Sequence, residues 1–250
     1  MLTAVIGLAS FAAAYSLYGG LSAVAWTDII QVVVLVLGGL ITTYLALDTV
    51  SGGEGFLSGL VDIYNTVPER FDMILEKSNP EYMNLPGIGV LIGGMWIANI
   101  YYWGFNQYII QRTLAAKSLE ESQKGILFAA GLKMIIPLIV VIPGIAAYVI
   151  VNDPNLIGSL GDAGLENLPT KSQADKAYPW LMQFLPSGLK GIAVAALAAA
   201  IVSSLASMLN STATIFTMDI YKQLINKNAS EYTTINIGRL SAFISLIIAT

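Results

Sequence analysis

Apolar residues run along this chain in six blocks, near 2–18, 25–47, 87–111, 123–151, 188–221 and 234–250, with polar connections between them. Each approaches or exceeds the roughly 20 residues a helix needs to cross a hydrocarbon core of about 30 Å. The pattern predicts an all-α integral membrane protein of about six transmembrane helices, with residues 1–250 forming a single transmembrane domain. The first block, MLTAVIGLASFAAAYSLYGG, does not read as a secretory leader, because no Lys or Arg precedes its apolar run. The last block is still apolar at Thr250 and the first begins with no polar flank, so the chain reads as the interior of a longer polypeptide.

Charge in the connections sets the expected orientation. Arg112, Lys117 and Lys124 fall in the short connection 112–124, and Lys222, Lys227 and Arg239 fall in 219–239. Both suit the cytoplasm under the positive-inside rule. The longer connections are acidic. Segment 48–86 carries Asp48, Glu54, Asp62, Glu69, Asp72, Glu76 and Glu81 against Arg70 and Lys77, and 152–187 carries Asp153, Asp162, Glu166 and Asp175 against Lys171 and Lys176. These are expected outside, in the periplasm or extracellular space, and the turn at Gly19–Gly20 is inside by parity. Within the outer connections, TVPERFDMILEK and DKAYPWLMQFL are amphipathic and predict short helices lying on the membrane surface.

Composition narrows the chemistry. The 250 residues are 56% hydrophobic and 11% charged, with a mean hydropathy of +0.70, whereas soluble domains are about 25% charged. There is no cysteine and no histidine, so disulfides, thiol chemistry, zinc hydrolysis and His-based catalysis drop out. A net charge of −4 without a basic run argues against nucleic acid. No acid–base pair sits at a plausible depth for catalysis, so an enzyme is not expected.

What remains is polarity inside the spans, where an ionisable group costs at least a few kcal/mol and normally faces a partner or a water-filled path. Lys133, in KGILFAAGLKMIIPLIVV, lies about two and a half turns beyond Lys124. Either it makes an internal structural ion pair, or its helix starts shallower, or its ammonium lines a solute path. Asp28, in AWTDIIQVVV, sits near the cytoplasmic end of its span, where an acid complements the helix dipole or serves as a way-station for a cation. In WIANIYYWGFNQYIIQRTLAAKS the side chains of Asn99, Tyr101, Tyr102, Trp103, Asn106, Gln107 and Gln111 crowd about four turns. An interfacial aromatic belt is the competing reading for the rings from Trp103 onward. Asn99 lies deeper, and amides beside rings suit a sugar, whose hydroxyls need hydrogen bonds and whose C–H faces stack. Gly93, Gly94 and Gly104 would let this helix unwind, as transporter helices do where backbone meets solute. The fifth block, GIAVAALAAAIVSSLASMLNSTATIFTMD, opens with small residues that allow close helix approach. Spacings of three and four then place Ser204, Ser207, Ser211 and Thr214 on one face. These hydroxyls either bond neighbouring backbone or, as Ser203 and Ser204 with the Ala200 carbonyl, offer oxygens to Na+.

Together these segments resemble the sodium:solute symporter family, in its group for sodium and galactose or glucose. The resemblance rests on GGLSAVAWTDIIQVVVLVLGG, WIANIYYWGFNQYIIQRTLAAKS, the intramembrane Lys133 and AALAAAIVSSLASMLNSTATIFTMDIY, and covers essentially the whole chain. It implies two inverted repeats of five helices around sugar and sodium sites near mid-membrane, in the cell membrane of a bacterium (its inner membrane). On that pattern Asn99 and Lys133 bind sugar hydroxyls, Tyr102 is the inner gate that stacks on the sugar, and Trp103 flanks it. Ala200, Ser203 and Ser204 hold Na+, and Asp28 assists sodium release toward the cytoplasm. The family usually has 13 or more spans, so the remaining helices, including the broken first helix of the core, are implied partners. The 250 residues alone are therefore expected not to transport. A symporter of the same fold for an amino acid, vitamin or anion, and a sodium channel, are the rival readings.

Overall fold

The computed structural model describes residues 2–166 and 168–249. Their regular structure is helical: α1 (Leu2–Val50), α2 (Phe56–Thr66), α3 (Met95–Ile100), α4 (Gln107–Leu114), α5 (Leu119–Lys133), α6 (Ile136–Asn152), α7 (Pro154–Ser159), α8 (Gly161–Leu165), α9 (Ala177–Met182), α10 (Ser187–Ile215) and α11 (Glu231–Ala249). Five stretches among them are long and apolar enough to cross a membrane, namely Thr3–Gly20, Val24–Val50, Leu119–Asn152, Ser187–Ile225 and Glu231–Ala249. This is a multi-pass membrane protein.

Four details depart from the expected spans, each for a local reason. The turn at Gly19–Gly20 is a break at one residue inside α1, where Gly20 takes φ 57° and ψ −160°, a backbone state open to glycine and strained for other residues. The span expected over 87–111 is no continuous α-helix. It passes through π-helical turns at Val90–Gly94 and Tyr101–Phe105 on either side of α3 and then turns extended at Asn106. These wide turns contain the glycines marked in the sequence. The span 123–151 is split between α5 and α6, because Pro137 has no N–H to donate to the carbonyl of Lys133. Lys133 therefore ends a helix. The helix expected over TVPERFDMILEK reduces to one 3-10 turn at Pro68–Arg70. Phe71 packs against the core and the Tyr64 ring, but Met73 and Ile74 beyond it stay exposed, and short helices are marginal without packing. The helix of that connection is α2 instead, upstream.

The chain divides into two compact units. One comprises Val34–Ala98 and Leu127–Val194. Its core joins Ala46 and Leu47 of α1, Ile63 of α2, Ile145, Ala146, Val149 and Ile150 of α6, and Trp180 and Leu181 of α9. The amphipathic segment DKAYPWLMQFL thus forms α9 and turns its apolar side chains into this core, where the Trp180 and Phe184 rings meet edge-on at 5.0 Å. Close approach between helices depends on small residues. A Cβ on Gly39 would lie 2.9 Å from Ile139 Cβ, and next to it the Thr43 hydroxyl shares its proton between the carbonyls of Gly39 (2.8 Å) and Leu138 (2.9 Å).

The other unit comprises Met1–Val33, Asn99–Ile126 and Ala195–Thr250. Its apolar contacts are thin. Ala12, Val24, Val202 and Ala206 form one cluster, and Ala13, Leu209 and Ala242 form another. The hydroxyl of Ser16 donates across to the carbonyl of Ala206 at 3.2 Å. Alanine and serine at these contacts let α1 and α10 approach closely, which dispersion and hydrogen bonding between membrane helices require.

Gly59 of α2 rests directly on the backbone of α1. A methyl there would overlap the Leu47 carbonyl and lie 2.9 Å from its Cα. Gly59→Ala is expected to undock α2 and destabilise its unit by about 2 kcal/mol, read as a lower thermal midpoint in detergent. An unchanged midpoint would refute this packing.

Candidate functional site

The polar centre of the second unit is built around Asp28. Its Oδ2 accepts from Arg112 Nη2 at 2.5 Å, and its Oδ1 accepts from the Ser203 hydroxyl. The same Nη2 donates to Ser207 Oγ at 2.6 Å, and Nη1 donates to the Tyr108 carbonyl at 3.4 Å. Gln111, itself buried, donates through Nε2 to the Ser207 carbonyl at 3.2 Å and to the Tyr108 carbonyl at 3.3 Å. Residues 28, 112 and 203 are far apart in sequence, and one ion pair with its hydrogen bonds brings them together.

Local sequence explains how each arrives. The extended backbone at Asn106 ends the π-helical turn, and the Asn106 carboxamide oxygen then caps α4 by accepting from Tyr108 N at 3.1 Å. That fresh start sets the phase on which Gln111 and Arg112 both reach α10. On α10, Ser203 and Ser207 are four residues apart and share a face, so one hydroxyl meets the carboxylate and the other the guanidinium. Thr214, at the end of the hydroxyl stripe, donates to the Asn210 carbonyl of its own helix, as its neighbour Thr212 does to that of Met208.

This arrangement leaves useful acceptors. A serine that gives its only proton to a carboxylate keeps both lone pairs, so Ser203 Oγ is available to a cation. Ser204 follows it in sequence, and the Ala200 carbonyl lies about one turn back on the same helix. Of the three oxygens the sequence offers to Na+, the Ser203 hydroxyl is the one the structure sets on the Asp28 carboxylate. Among the described residues no group of three His, Cys, Asp or Glu side chains could hold a metal ion.

Of the residues expected at a sugar site, Asn99, Tyr102 and Trp103 lie on the helical run through α3 and the π-turn at Tyr101–Phe105, and all three are exposed. The rings of Tyr102 and Trp103 meet edge-on at 5.3 Å. Lys133, also exposed, belongs to the other unit. A cavity of about 600 Å³ opens beside the Gly20 break, with Tyr18, Asn210, Thr217 and Arg239 in its wall. It contains none of the expected site residues.

Arg112, Ser207 and Gln111 were missed as site residues by sequence reasoning. The positive-inside count explained Arg112 by itself. The overlooked signal was an opposite charge, Asp28, at the same expected depth.

The sequence model of the Sodium:solute symporter family matches residues 1–250. The chain is 63% identical over 249 residues to the sodium/glucose cotransporter of Vibrio parahaemolyticus, covering 100% of this chain and 46% of that protein. It is 34% identical over 257 residues to human sodium/myo-inositol cotransporter 2, covering 98% of the chain and 38% of that protein. The chain therefore spans about half or less of the length of these relatives. In structure it matches the substrate-bound outward-open state of a Na+-coupled sialic acid symporter with a TM-score of 0.78 and 24% identity, over 98% of this chain and 49% of that one. That likeness fixes the fold.

The Arg112–Asp28 pair is partly shielded, with side-chain exposures of 33% and 18%. A double-mutant cycle of Asp28→Asn and Arg112→Gln, followed by thermal unfolding in detergent, is expected to give a coupling of about 1–2 kcal/mol, between exposed and buried pairs. Additive effects would mean that the pair is not formed.

Proposed function

The chain belongs to the sodium:solute symporter family, and we propose that the protein containing it uses sodium entry to drive uptake of a hexose, galactose or glucose, across the cell membrane. The observation that carries this reading is the Ser203 hydroxyl committed to Asp28 beside Ser204 and the Ala200 carbonyl. It is a weak, oxygen-only cation seat with a carboxylate next to it. Hard cations take oxygen ligands, and few neutral ones hold them loosely enough for release. Support for a sugar comes from the 63% identical relative, a sodium/glucose cotransporter, and from the chemistry of Asn99, Tyr102 and Lys133.

Transport then proceeds by alternating access. Sodium enters from outside and settles on Ala200, Ser203 and Ser204, with further helices of the protein completing its shell. The Asn99 amide and Lys133 ammonium hydrogen-bond the sugar hydroxyls, and Tyr102 stacks on the ring as inner gate with Trp103 beside it. After closure sodium passes toward Asp28 and the cytoplasm, and Tyr102 moves aside to release the sugar. The position of Tyr102 in a π-helical turn ahead of the break at Asn106 suits such a movement, since π-turns are frequent at functional sites. The membrane potential adds about 2.3 kcal/mol per charge per 100 mV to the sodium gradient. No nucleotide is required, and the sequence has no glycine-rich phosphate loop ending in Gly-Lys-Ser/Thr.

Uptake of labelled galactose and glucose by proteoliposomes holding the full-length protein tests this reading. Lys133→Ala is expected to abolish sugar uptake at any sodium concentration. Ser204→Ala is expected to raise the sodium concentration needed for half-maximal uptake about tenfold or more, for loss of one of few ligands. Uptake indifferent to sodium and to both changes would overturn it.

A further inference from the structure

Arg112 has a role in this geometry that the sodium reading leaves open. The Asp28 carboxylate is fully engaged, one oxygen by Ser203 and the other by Arg112. The guanidinium has a built seat, with acceptors from three segments: Asp28 on α1, Ser207 on α10 and the Tyr108 carbonyl on α4. Ser207 is buried and its own carbonyl is braced by Gln111. The seat is therefore a defined position, next to the serine from which sodium would arrive.

We infer that Arg112 is a tethered cation that competes with sodium for Asp28. The inference rests on the proposed sodium path through Ser203, Ser204 and Asp28, and adds a gate to it. An ion leaving the serine pair can use the outer carboxylate oxygen only when the guanidinium withdraws. When the ion departs to the cytoplasm, Arg112 returns and neutralises the carboxylate. A bare carboxylate at the end of an apolar helix is costly, and it would also recapture sodium. The guanidinium removes both problems at once, because it is positive, fixed to the chain and unable to diffuse away. Release becomes easier than rebinding on the inner side. Arg112 thus acts through Asp28 as a positioning residue for sodium and touches no sugar.

Competition has a measurable size. An ion whose site is free in only a tenth of the molecules binds about tenfold more weakly than it would to the free site. Arg112→Gln keeps hydrogen-bonding capacity and removes the charge. It is expected to lower the sodium concentration for half-maximal galactose uptake by about five- to tenfold, while the sugar KM at saturating sodium stays within about twofold. Arg112→Lys, which restores a tethered cation, should return sodium dependence close to that of the unmodified protein. In an Asp28→Asn background, Arg112→Gln should change sodium dependence no further, because the contested group is gone.

A second measurement needs no variant. The chain has three arginines, Arg70, Arg112 and Arg239, so an arginine-directed reagent such as phenylglyoxal, read by peptide mass spectrometry, reports on each. Sodium in place of choline is expected to increase modification of Arg112 several-fold and leave Arg70 and Arg239 unchanged. Sodium-dependent uptake with unaltered half-saturation in Arg112→Gln, or labelling of Arg112 blind to sodium, overturns the gate and leaves the symport reading standing. Uptake that needs no sodium overturns both.

Discussion

An ionised carboxylate near the end of an apolar helix must be matched by donors or it costs several kcal/mol, and Asp28 imposes that condition on its whole unit. Arg112 and Ser203 meet it, and Ser207, Gln111 and Tyr108 in turn hold Arg112. The condition reaches further into the chain than the ion pair itself. α4 must begin anew at Asn106 for its arginine to reach α10, and α10 must carry serine at both 203 and 207. Alanines at 12, 13 and 206 must keep α1 and α10 close. Replacing small residues there with larger ones would separate the groups that satisfy the carboxylate.

The two units depend on different forces. In the one holding Trp180, Leu181 and Ile63, apolar side chains from α1, α2, α6 and α9 make a conventional core, supplemented by Arg70 lying 4.2 Å from the centre of the Tyr148 ring. In the one holding Asp28, the apolar clusters are small and polar contacts carry more of the burden.

The apolar blocks were legible because the bilayer demands an uninterrupted run, and five of the six form such helices. The third was legible in its irregularity, since Gly93, Gly94 and Gly104 mark both π-helical turns, but the break at Asn106 depends on a side-chain cap that no hydropathy pattern reveals. α2 was hidden because FLSGLVDIYNT lies in an acidic connection and is held by Gly59 meeting α1, a contact between segments. DKAYPWLMQFL announced a helix without announcing that its apolar face turns into protein. At the site, Asp28 and the serines stood out as polarity where none is cheap. Arg112 did not, because a cation at the cytoplasmic end of a span already has an explanation. Spacing shows that 204, 207, 211 and 214 share one face, and 203 and 207 another; only the partner, here Asp28 with Arg112, picks out Ser203 and Ser207.

The central claim is that oxygens of Ala200, Ser203 and Ser204 beside Asp28 hold sodium. Equilibrium binding of radiolabelled sodium to the purified full-length protein, with potassium as competitor, tests it without requiring transport. The account predicts saturable binding that excess potassium fails to displace and that Ser203→Ala together with Ser204→Ala removes. Saturable binding that survives both substitutions, or that potassium displaces as readily as sodium, would contradict it.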